Sequence, residues 1–437
     1  MTCSRSGIFS SKGKAVSLLR VSWRNLWRNR RRTAITMSAI ALNTLILITT
    51  YSLMGGFLKQ TVRNVTQLAT GEAQLHAPGY LSDRSLYKRI AHPRILLQAL
   101  GEHSIGAAPR TYGYGLVSRG TKSAGALFQG VEPAMEAAAF ELAGHLAQGT
   151  FLAPAARKGL VLGRKLAKSL NAEVGSEIVV LVQAADGSLG NDLFTVVGIL
   201  GAVGEAIDRN AAMMHLDDFR QLFAMPEGIH EIAVNTRGRL PLDALVETLS
   251  RLAPGDEVRT WRRLLPTFSD MIELSGVSMS IFGAIFLIAA GLGVMNTMLM
   301  ATYERAREFA LQKALGATPW RIVRDVTFEA WLLACVATLF GTLAGLAAST
   351  ILQTTGLNTA SLAGETTISG VVFDPVWRAD LTLRTVVWPV FMMWAVCVLA
   401  ALYPAAMSAR DMGSNLHFSH FLRAGPRSVC GTGRRRS

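Results

Sequence analysis

The sequence predicts a membrane protein with four transmembrane α-helices and a large α+β extracytoplasmic domain between the first two of them. Half of the 437 residues are hydrophobic and only 17% are charged. Four apolar runs each reach the roughly 20 residues that cross a bilayer core as a helix. About 210 residues of mixed polarity separate the first run from the second, which is enough for one sizeable soluble core.

The four apolar runs set the predicted domain boundaries. The first is longer than a signal-peptide core and no cleavage signal follows it, so we expect a retained helix. The fourth contains Pro389 and Pro404, which membrane helices tolerate when neighbouring groups satisfy the freed backbone. The predicted segments are a basic interfacial segment 1–32, span 33–57, the extracytoplasmic domain 58–271, span 272–300, a cytoplasmic loop 301–325, span 326–352, a short extracytoplasmic loop 353–384, span 385–408 and a cytoplasmic tail 409–437.

Positive charge is concentrated in three pieces that flank the predicted spans. Residues 1–32, 301–326 and 408–437 carry 20 Lys/Arg and 4 Asp/Glu, an excess larger than the net charge of +14 of the whole chain. The remaining residues are slightly acidic, which argues against a nucleic-acid interface. This distribution follows the positive-inside rule, so we expect both termini and the loop 301–325 in the cytoplasm and the large domain outside.

The most informative stretch is the charged loop between the second and third predicted spans. Four charged residues are expected one turn apart on a helix: Glu304, Arg305, Arg307 and Glu308. Its apolar side is expected to contain Phe309, Leu311 and Leu315. Gly316 is a helix stop and Pro319 suits the first turn of the next helix. The pattern predicts a surface helix that docks into another protein, and the alternative is a helix whose charges are only solvated.

The charge order, spacing and position of this loop resemble the cytoplasmic loop of FtsX-like ABC permeases, which include macrolide-exporting and lipoprotein-releasing types. In that family the loop holds the coupling helix that meets an ATPase subunit. The resemblance implies a multi-pass protein of the bacterial inner membrane. It also implies that the ATPase is contacted through Glu304, Arg305, Arg307, Glu308, Lys313, Ala314, Leu315, Gly316 and Ala317.

The extracytoplasmic domain has the alternating pattern of a mixed fold. Glu177–Gln183 and residues 192–200 are predicted strands around a turn at Asp186-Gly187, and helical spacing is seen at 160–170, 216–223 and 240–252. The order of its motifs, among them Arg110–Ser118 and Gly130–Pro133, is similar to the periplasmic domain of lipoprotein-releasing permeases of the LolC/LolE type. Together with the membrane portion, the resemblance covers residues 20–410.

The sequence contains no motif for chemistry of its own. A Gly-x-x-x-x-Gly-Lys-Ser/Thr phosphate loop is absent, so ATP is expected to bind a partner subunit and the chain is expected to be non-catalytic. No cofactor or metal site is predicted, because the eight histidines are scattered and His417-x-x-His420 lacks further ligands. Cys3, Cys335, Cys397 and Cys430 all lie outside the extracytoplasmic domain, which therefore has no disulfide.

Small residues in the predicted spans favour close helix packing. Gly341 and Gly345 form a small-xxx-small pair in the third span, and Gly291 and Gly293 are expected to act similarly in the second. Glu329 lies near the cytoplasmic end of the third span, where we expect its partner to be Arg324 or a residue of a neighbouring helix.

The resemblance implies a permease that pairs with a second permease, identical or paralogous, and moves a lipoprotein or another amphipathic substrate outward. A periplasmic chaperone as acceptor stays open. Three alternatives also stay open: an FtsX-like mechanical regulator of cell-wall hydrolases, a MacB-like exporter of small molecules or peptides, and a structural membrane anchor without an ATPase.

Overall fold

The computed structural model describes residue 20 and residues 22–358, 367–368, 371–372 and 376–410. Cys3, Cys430, His417 and His420 lie outside these residues, as does nearly all of the predicted tail. The chain forms two compact units. The helical unit comprises Met1–Gly55, Val277–Gly356 and Arg378–Ser437, and the sheet unit comprises Gly56–Gly276 and Leu357–Trp377.

Four helices in the described chain are long and apolar enough to cross a membrane: Ser22–Thr70, Pro266–Glu304, Pro319–Thr355 and Leu383–Ser408. Each predicted span lies inside one of them, and every helix continues beyond the span at its N-terminal side. The first stretch includes a 3₁₀ turn, Trp27–Asn29, the α-helix α1, Arg30–Asn64, and a π-helix, Val65–Thr70.

The other helices follow in chain order. Those of the sheet unit are α2 Tyr80–Asp83, α3 Pro93–Glu102, α4 Pro133–Ala139, α5 Arg164–Leu170, α6 Glu205–Asn210, α7 Leu216–Leu222, α8 Leu242–Leu252 and α9 Trp261–Leu264, with a 3₁₀ turn at Leu142–Gly144. The remaining ones are α10 Pro266–Glu304, α11 Ala306–Ala314, α12 Pro319–Thr355 and α13 Leu383–Arg410.

The helical unit has one apolar core to which all four long helices contribute. Ile40 and Leu47 of α1 lie in it with Val294 of α10, Ala337 of α12 and Cys397 of α13. Two predicted packing glycines of α12 lie against α1. A Cβ at Gly341 would lie 2.6 Å from the Ala41 carbonyl oxygen and 2.7 Å from the Thr44 Cβ, and one at Gly345 would lie 3.1 Å from the Ile48 Cβ.

The two glycines of α10 differ in their surroundings. A Cβ at Gly291 would lie 2.9 Å from Cγ1 of Val396 on α13, whereas a Cβ at Gly293 would meet no described atom within 4 Å. Close helix approach within this chain therefore involves Gly291, Gly341 and Gly345, and Gly293 faces open space.

The sheet unit is built on a mixed ten-stranded sheet with the order β10-β1-β9-β2-β3-β8-β5-β7-β4, in which β6 pairs with both β2 and β7. The β3–β8 and β5–β7 pairs are parallel and the others are antiparallel. The strands are β1 Ala73–His76, β2 Gly106–Arg119, β3 Lys122–Val131, β4 Leu146–Gly149, β5 Gly159–Leu162, β6 Glu177–Gln183, β7 Leu189–Leu200, β8 Ala211–His215, β9 Glu231–Asn235 and β10 Glu257–Thr260. Two short hairpins pair β11 Leu357–Asn358 with β14 Val376–Trp377, and β12 Thr367–Ile368 with β13 Val371–Val372.

Strand β2 joins two apolar cores because it is long enough to pair with β9 through its first half and with β6 through its second half. One core lies between β1, β9, α3 and α8 and includes Leu75, Ile232 and Leu249. The larger core includes Phe128 and Phe219. Helices and mixed strands thus share each core, as an α+β domain requires.

One sequence-based helix assignment is wrong at its start. Residues 160–170 have helical spacing, but Gly159–Leu162 forms β5 and the helix begins only at Arg164. The apolar residues of β5 are buried on both faces, because Leu160 and Leu162 lie in one apolar core and Val161 lies in another. Such a doubly buried strand has no alternation that distinguishes it from a buried helix. The β6–β7 hairpin is as expected, except that β7 already begins at Leu189.

Replacing Gly341 by valine tests the close approach of α1 and α12. The new side chain would collide with backbone of α1, so we expect Gly341→Val to lower the stability of the purified protein by about 1–3 kcal/mol, as overpacking does. Gly293→Val is the matched control, because it makes the same helical substitution in open space. The readout is the thermal unfolding midpoint in detergent, and equal midpoints for the two variants would contradict the packing.

Candidate functional site

The predicted coupling loop is broken at Arg305. Helix α10 ends at Glu304, Arg305 has φ −100° and ψ 12°, and α11 begins at Ala306. The four charged residues expected on one helix are therefore divided between two helices and the break between them.

The end of the loop follows the stop and start signals of the sequence. Gly316 has φ +89°, its N–H donates to the Lys313 carbonyl at 2.9 Å, and the Ala317 N–H donates to the Gln312 carbonyl at 3.0 Å. These two bonds form a Schellman motif, which needs a residue with positive φ and so favours glycine. Pro319 is the first residue of α12.

The Arg305 guanidinium contacts two helices, α11 and α12. Its Nη1 lies 2.8 Å from Oε2 of Glu329 on α12, and its Nε lies 3.2 Å from Oε2 of Glu308 on α11. The guanidinium also stacks near the ring of Phe309, 5.2 Å from the centroid. The side chains of Arg305 and Glu329 are only 15% and 12% exposed, so this ion pair is largely shielded from water.

The partner of Glu329 comes from the loop and not from its own helix. Arg324, one of the expected partners, instead pairs with Asp325 at 3.2 Å. Arg305 is 24 residues away in the sequence. Periodicity along α12 therefore contains no signal that would identify it.

Two further ion pairs connect the loop to the beginning of the first helix. Nη1 of Arg28 lies 2.8 Å from Oε1 of Glu308, and Nη1 of Arg32 lies 2.6 Å from Oε2 of Glu304. Sequence reasoning explained this basic run by membrane topology and missed these contacts. Glu308 is thus held between two cations, Arg28 and Arg305, and Glu304 is held by Arg32.

The charge state of Glu308 follows from these contacts. Partial burial acts to raise the pKa of its carboxyl, but hydrogen bonds from Arg28 and Arg305 outweigh that effect and hold the pKa below its usual value. Glu308 is therefore ionised at neutral pH. Because its pKa is lowered in the folded state, the stabilisation is present above the ordinary pKa and is lost as pH falls through the lowered one.

The apolar side expected for the loop helix is divided in two. Phe309 is buried against Ile322, Val326 and Ala405, so it anchors α11 to α12 and α13. Leu311 and Leu315 are 63% and 80% exposed. Sequence periodicity did not distinguish the anchoring residue from the exposed ones, because all three are apolar and only neighbouring helices decide which is covered.

The exposed part of the loop forms an apolar tip with a polar margin. Its apolar members are Leu311, Leu315 and, at the start of α12, Trp320, which is 74% exposed. Arg307, Ala314 and Gly316 are also exposed, whereas Lys313 and Ala317 are half-buried. The predicted site residues thus separate into a group that holds the loop in place and a group that presents a surface. We refer to Leu311, Leu315 and Trp320 as the loop tip.

Two protein-family models match this chain. The model of the MacB-like periplasmic core domain matches residues 33–252, about half of the chain, and the FtsX-like permease C-terminal model matches residues 280–411. The chain belongs to this family of ABC transporter permeases. Members of the family are membrane components that are generally non-catalytic and work with an ATPase.

Individual relatives agree with the family. The chain is 24% identical over 388 residues to the lipoprotein-releasing system transmembrane protein LolC of Xylella fastidiosa, covering 85% of this chain and 90% of that protein. LolC of Neisseria meningitidis serogroup B is 24% identical over 335 residues, covering 73% and 76%. The macrolide export ATP-binding/permease protein MacB of Marinobacter nauticus is 34% identical over 99 residues, 23% of this chain and 15% of that protein. The periplasmic region of MacB from Actinobacillus actinomycetemcomitans aligns with a TM-score of 0.35 and 16% identity over 49% of this chain and 97% of that one.

Neutralising Glu329 tests whether it anchors the loop. In Glu329→Gln, the charge-assisted hydrogen bond of Arg305 becomes a neutral one, a loss of about 1–1.5 kcal/mol, so loop amides 306–315 are expected to exchange with deuterium about five- to ten-fold faster. Asp325→Asn is the matched control on the same helix, because the ion pair of Asp325 within the described chain is with its exposed neighbour Arg324. Hydrogen–deuterium exchange of both variants provides the comparison, and unchanged exchange in Glu329→Gln would rule out the anchor.

Proposed function

We propose that the chain is the permease subunit through which a separate ATPase subunit drives a lipoprotein out of the inner membrane on the periplasmic side. The observation that carries the proposal is the geometry of the loop 301–325. An exposed apolar tip beside ion pairs that fix the loop to neighbouring helices suits a contact through which a partner protein exerts force. In this permease family the expected partner is the ATPase subunit.

The proposed transmission runs through the anchored residues. The ATPase binds the loop tip and neighbouring residues from Arg307 to Ala317. Movement of the loop then reaches α12 through Arg305 and Glu329, and the first helix through Arg28 and Arg32. Transmission of this kind needs a packed element with discrete positions and not a flexible tether, and the burial of Phe309 supports that property.

The orientation proposed for the chain follows its charge. Both termini and the loop lie in the cytoplasm, and residues 58–271 lie in the periplasm, since the basic excess flanks the spans on one side. A second permease, identical or paralogous, completes the membrane part. The four long helices leave many apolar side chains exposed, among them Ile281, Ile285 and Phe340, which suits lipid and a partner permease alike.

The lipoprotein substrate is supported by how much of the relatives' own length is matched. The LolC protein of Xylella fastidiosa is matched over 90% of its length, whereas the pyoverdine export proteins that match 76–77% of this chain are matched over only 51–52% of theirs. A cell-wall hydrolase as target is distinguished from this proposal by the partners that the protein retains, whereas a periplasmic chaperone as acceptor would be compatible with it.

Co-purification from native membranes tests the ATPase contact. We expect tagged Leu315→Asp to lose the ATPase subunit that the wild-type protein retains, because a carboxylate would be buried without a partner in the contact. Leu189→Asp is the matched control, since Leu189 is 76% exposed but lies in the sheet unit, and it is expected to retain the ATPase.

Mass spectrometry of the same material distinguishes the candidate functions. A lipoprotein or a periplasmic lipoprotein carrier beside the ATPase is the expected result, together with accumulation of lipoproteins in the inner membrane when the protein is depleted. A cell-wall hydrolase in their place would assign a regulatory function. Absence of any ATPase would contradict the coupling contact itself.

A further inference from the structure

The sheet unit contains a partly open cavity of about 320 Å³. Its wall is mainly apolar and comes from the π-helix Val65–Thr70, the strands β2 and β3, and the segments around Val203 and Leu265. Cavities of this size and composition, with a few polar groups converging on them, are typical binding sites for small organic molecules. The polar groups of the wall that have no partner within the protein therefore indicate what the cavity can bind.

The buried charges of the wall already have partners. Arg110 bonds Glu231 through Nη1 at 3.3 Å, and it bonds both oxygens of Glu136, which does not line the cavity, at 2.6 and 3.1 Å. The Tyr112 hydroxyl donates to Glu231 at 3.2 Å. These residues hold one another in place, and Glu231 is the single carboxylate among the described residues that form the wall.

The second arginine of the wall is free at its mouth. Arg84 is exposed, and its guanidinium makes no hydrogen bond or ion pair with any residue that the structure describes. Its backbone N–H donates to the Tyr80 carbonyl at 2.7 Å, which holds the two residues one helical turn apart. The charge that the wall leaves unpaired is therefore positive, and it lies where the cavity opens to solvent.

The other polar groups without a partner can donate hydrogen bonds. Tyr80 is 2% exposed and is stacked between His76 and His230, and its hydroxyl has no hydrogen-bond partner within the described chain. Burial, and then the charge of Glu231, raise the pKa of Tyr80, so this hydroxyl keeps its proton. The half-buried amide of Gln129 on β3 likewise bonds no described residue. A cation and two neutral donors match the oxygens of an anionic group.

We propose that this cavity binds a single-chain anionic amphiphile, a fatty acid or a lysophospholipid, whose acyl chain fills the apolar interior and whose carboxylate or phosphate accepts hydrogen bonds from Arg84. The Tyr80 hydroxyl donates a further hydrogen bond to this head group. The charge of the buried Glu231 repels an anion, which keeps the head group at the mouth, where Arg84 and Ala206 are exposed. Because this ligand is distinct from the lipoprotein substrate, the proposal stands or falls independently of the transport function.

Photo-crosslinking in the full chain tests the place of binding. The probe is dodecanoate with a diazirine in the middle of its chain, added to the protein in phosphatidylcholine nanodiscs, and mass spectrometry maps the labelled peptides after irradiation. We expect saturable labelling of wall peptides around Leu68, Leu127 and Val203. The four long helices, labelled by probe dissolved in the lipid, provide the internal reference. Labelling confined to these helices would overturn the proposal.

Competition by unlabelled molecules of equal chain length tests the class of ligand. Dodecanoate is expected to displace the probe from the wall peptides at an about five-fold lower concentration than dodecanol, as an ion pair with an exposed arginine allows. Dodecyltrimethylammonium is expected to be the weakest competitor. A lower concentration for lauroyl lysophosphatidate than for dodecanoate assigns a lysophospholipid, and the reverse order assigns a free fatty acid. Equal displacement by the acid, the alcohol and the cation would contradict the proposal.

Variants connect the binding to the named residues. Arg84→Gln is expected to remove the preference for dodecanoate over dodecanol, and Arg94→Gln, at an exposed position of α3 outside the cavity, is expected to keep it. Leu127→Trp fills the cavity from β3 and should abolish labelling of the wall but not of the long helices. Ala206→Trp obstructs the exposed mouth and makes the same test if Leu127→Trp does not fold. Unchanged labelling of the wall in these tryptophan variants would refute the site.

Discussion

The contact on which the loop 301–325 depends is the shielded ion pair between Arg305 and Glu329. A largely buried cation needs a partner, and Arg305 has Glu329 on one side, Glu308 on the other and the ring of Phe309 beside it. The exposed pairs of Arg28 and Arg32 with the loop are individually worth about 0–1 kcal/mol. They act on a loop that Arg305 and Phe309 already hold, and their role is to extend its attachment to the first helix.

Much of this architecture is predictable from the sequence, because it depends on local signals. The four long helices follow from apolar runs, and the end of the loop follows from Gly316 and Pro319, whose backbone preferences act within a few residues. The partners of the loop are different. Arg28 and Glu308 are 280 residues apart, and only the packed helices bring them together. For the same reason the pattern could not separate the buried Phe309 from the exposed Leu311.

The sheet unit shows the same limit. The stretch around Arg110 was recognised as a motif, but nothing in it indicates a buried arginine shared by two carboxylates. Glu136 and Glu231 are 26 and 121 residues away and reach Arg110 through different elements. Burying such a cluster is costly unless every charge is paired. Here Arg110 bonds both carboxylates and the Ala69 carbonyl, so each charged residue of the cluster has a partner.

The central claim is that ion pairs transmit movement of the loop to the first helix. Swapping the charges of Arg32 and Glu304 by mutation tests this claim most directly. The measurement is ATP-driven substrate release by the reconstituted complex carrying Arg32→Glu, Glu304→Arg or both. The account predicts that each single variant lowers release about two- to five-fold, in keeping with a surface ion pair, and that the double variant recovers most of it. A double variant no better than the poorer single one would contradict the account.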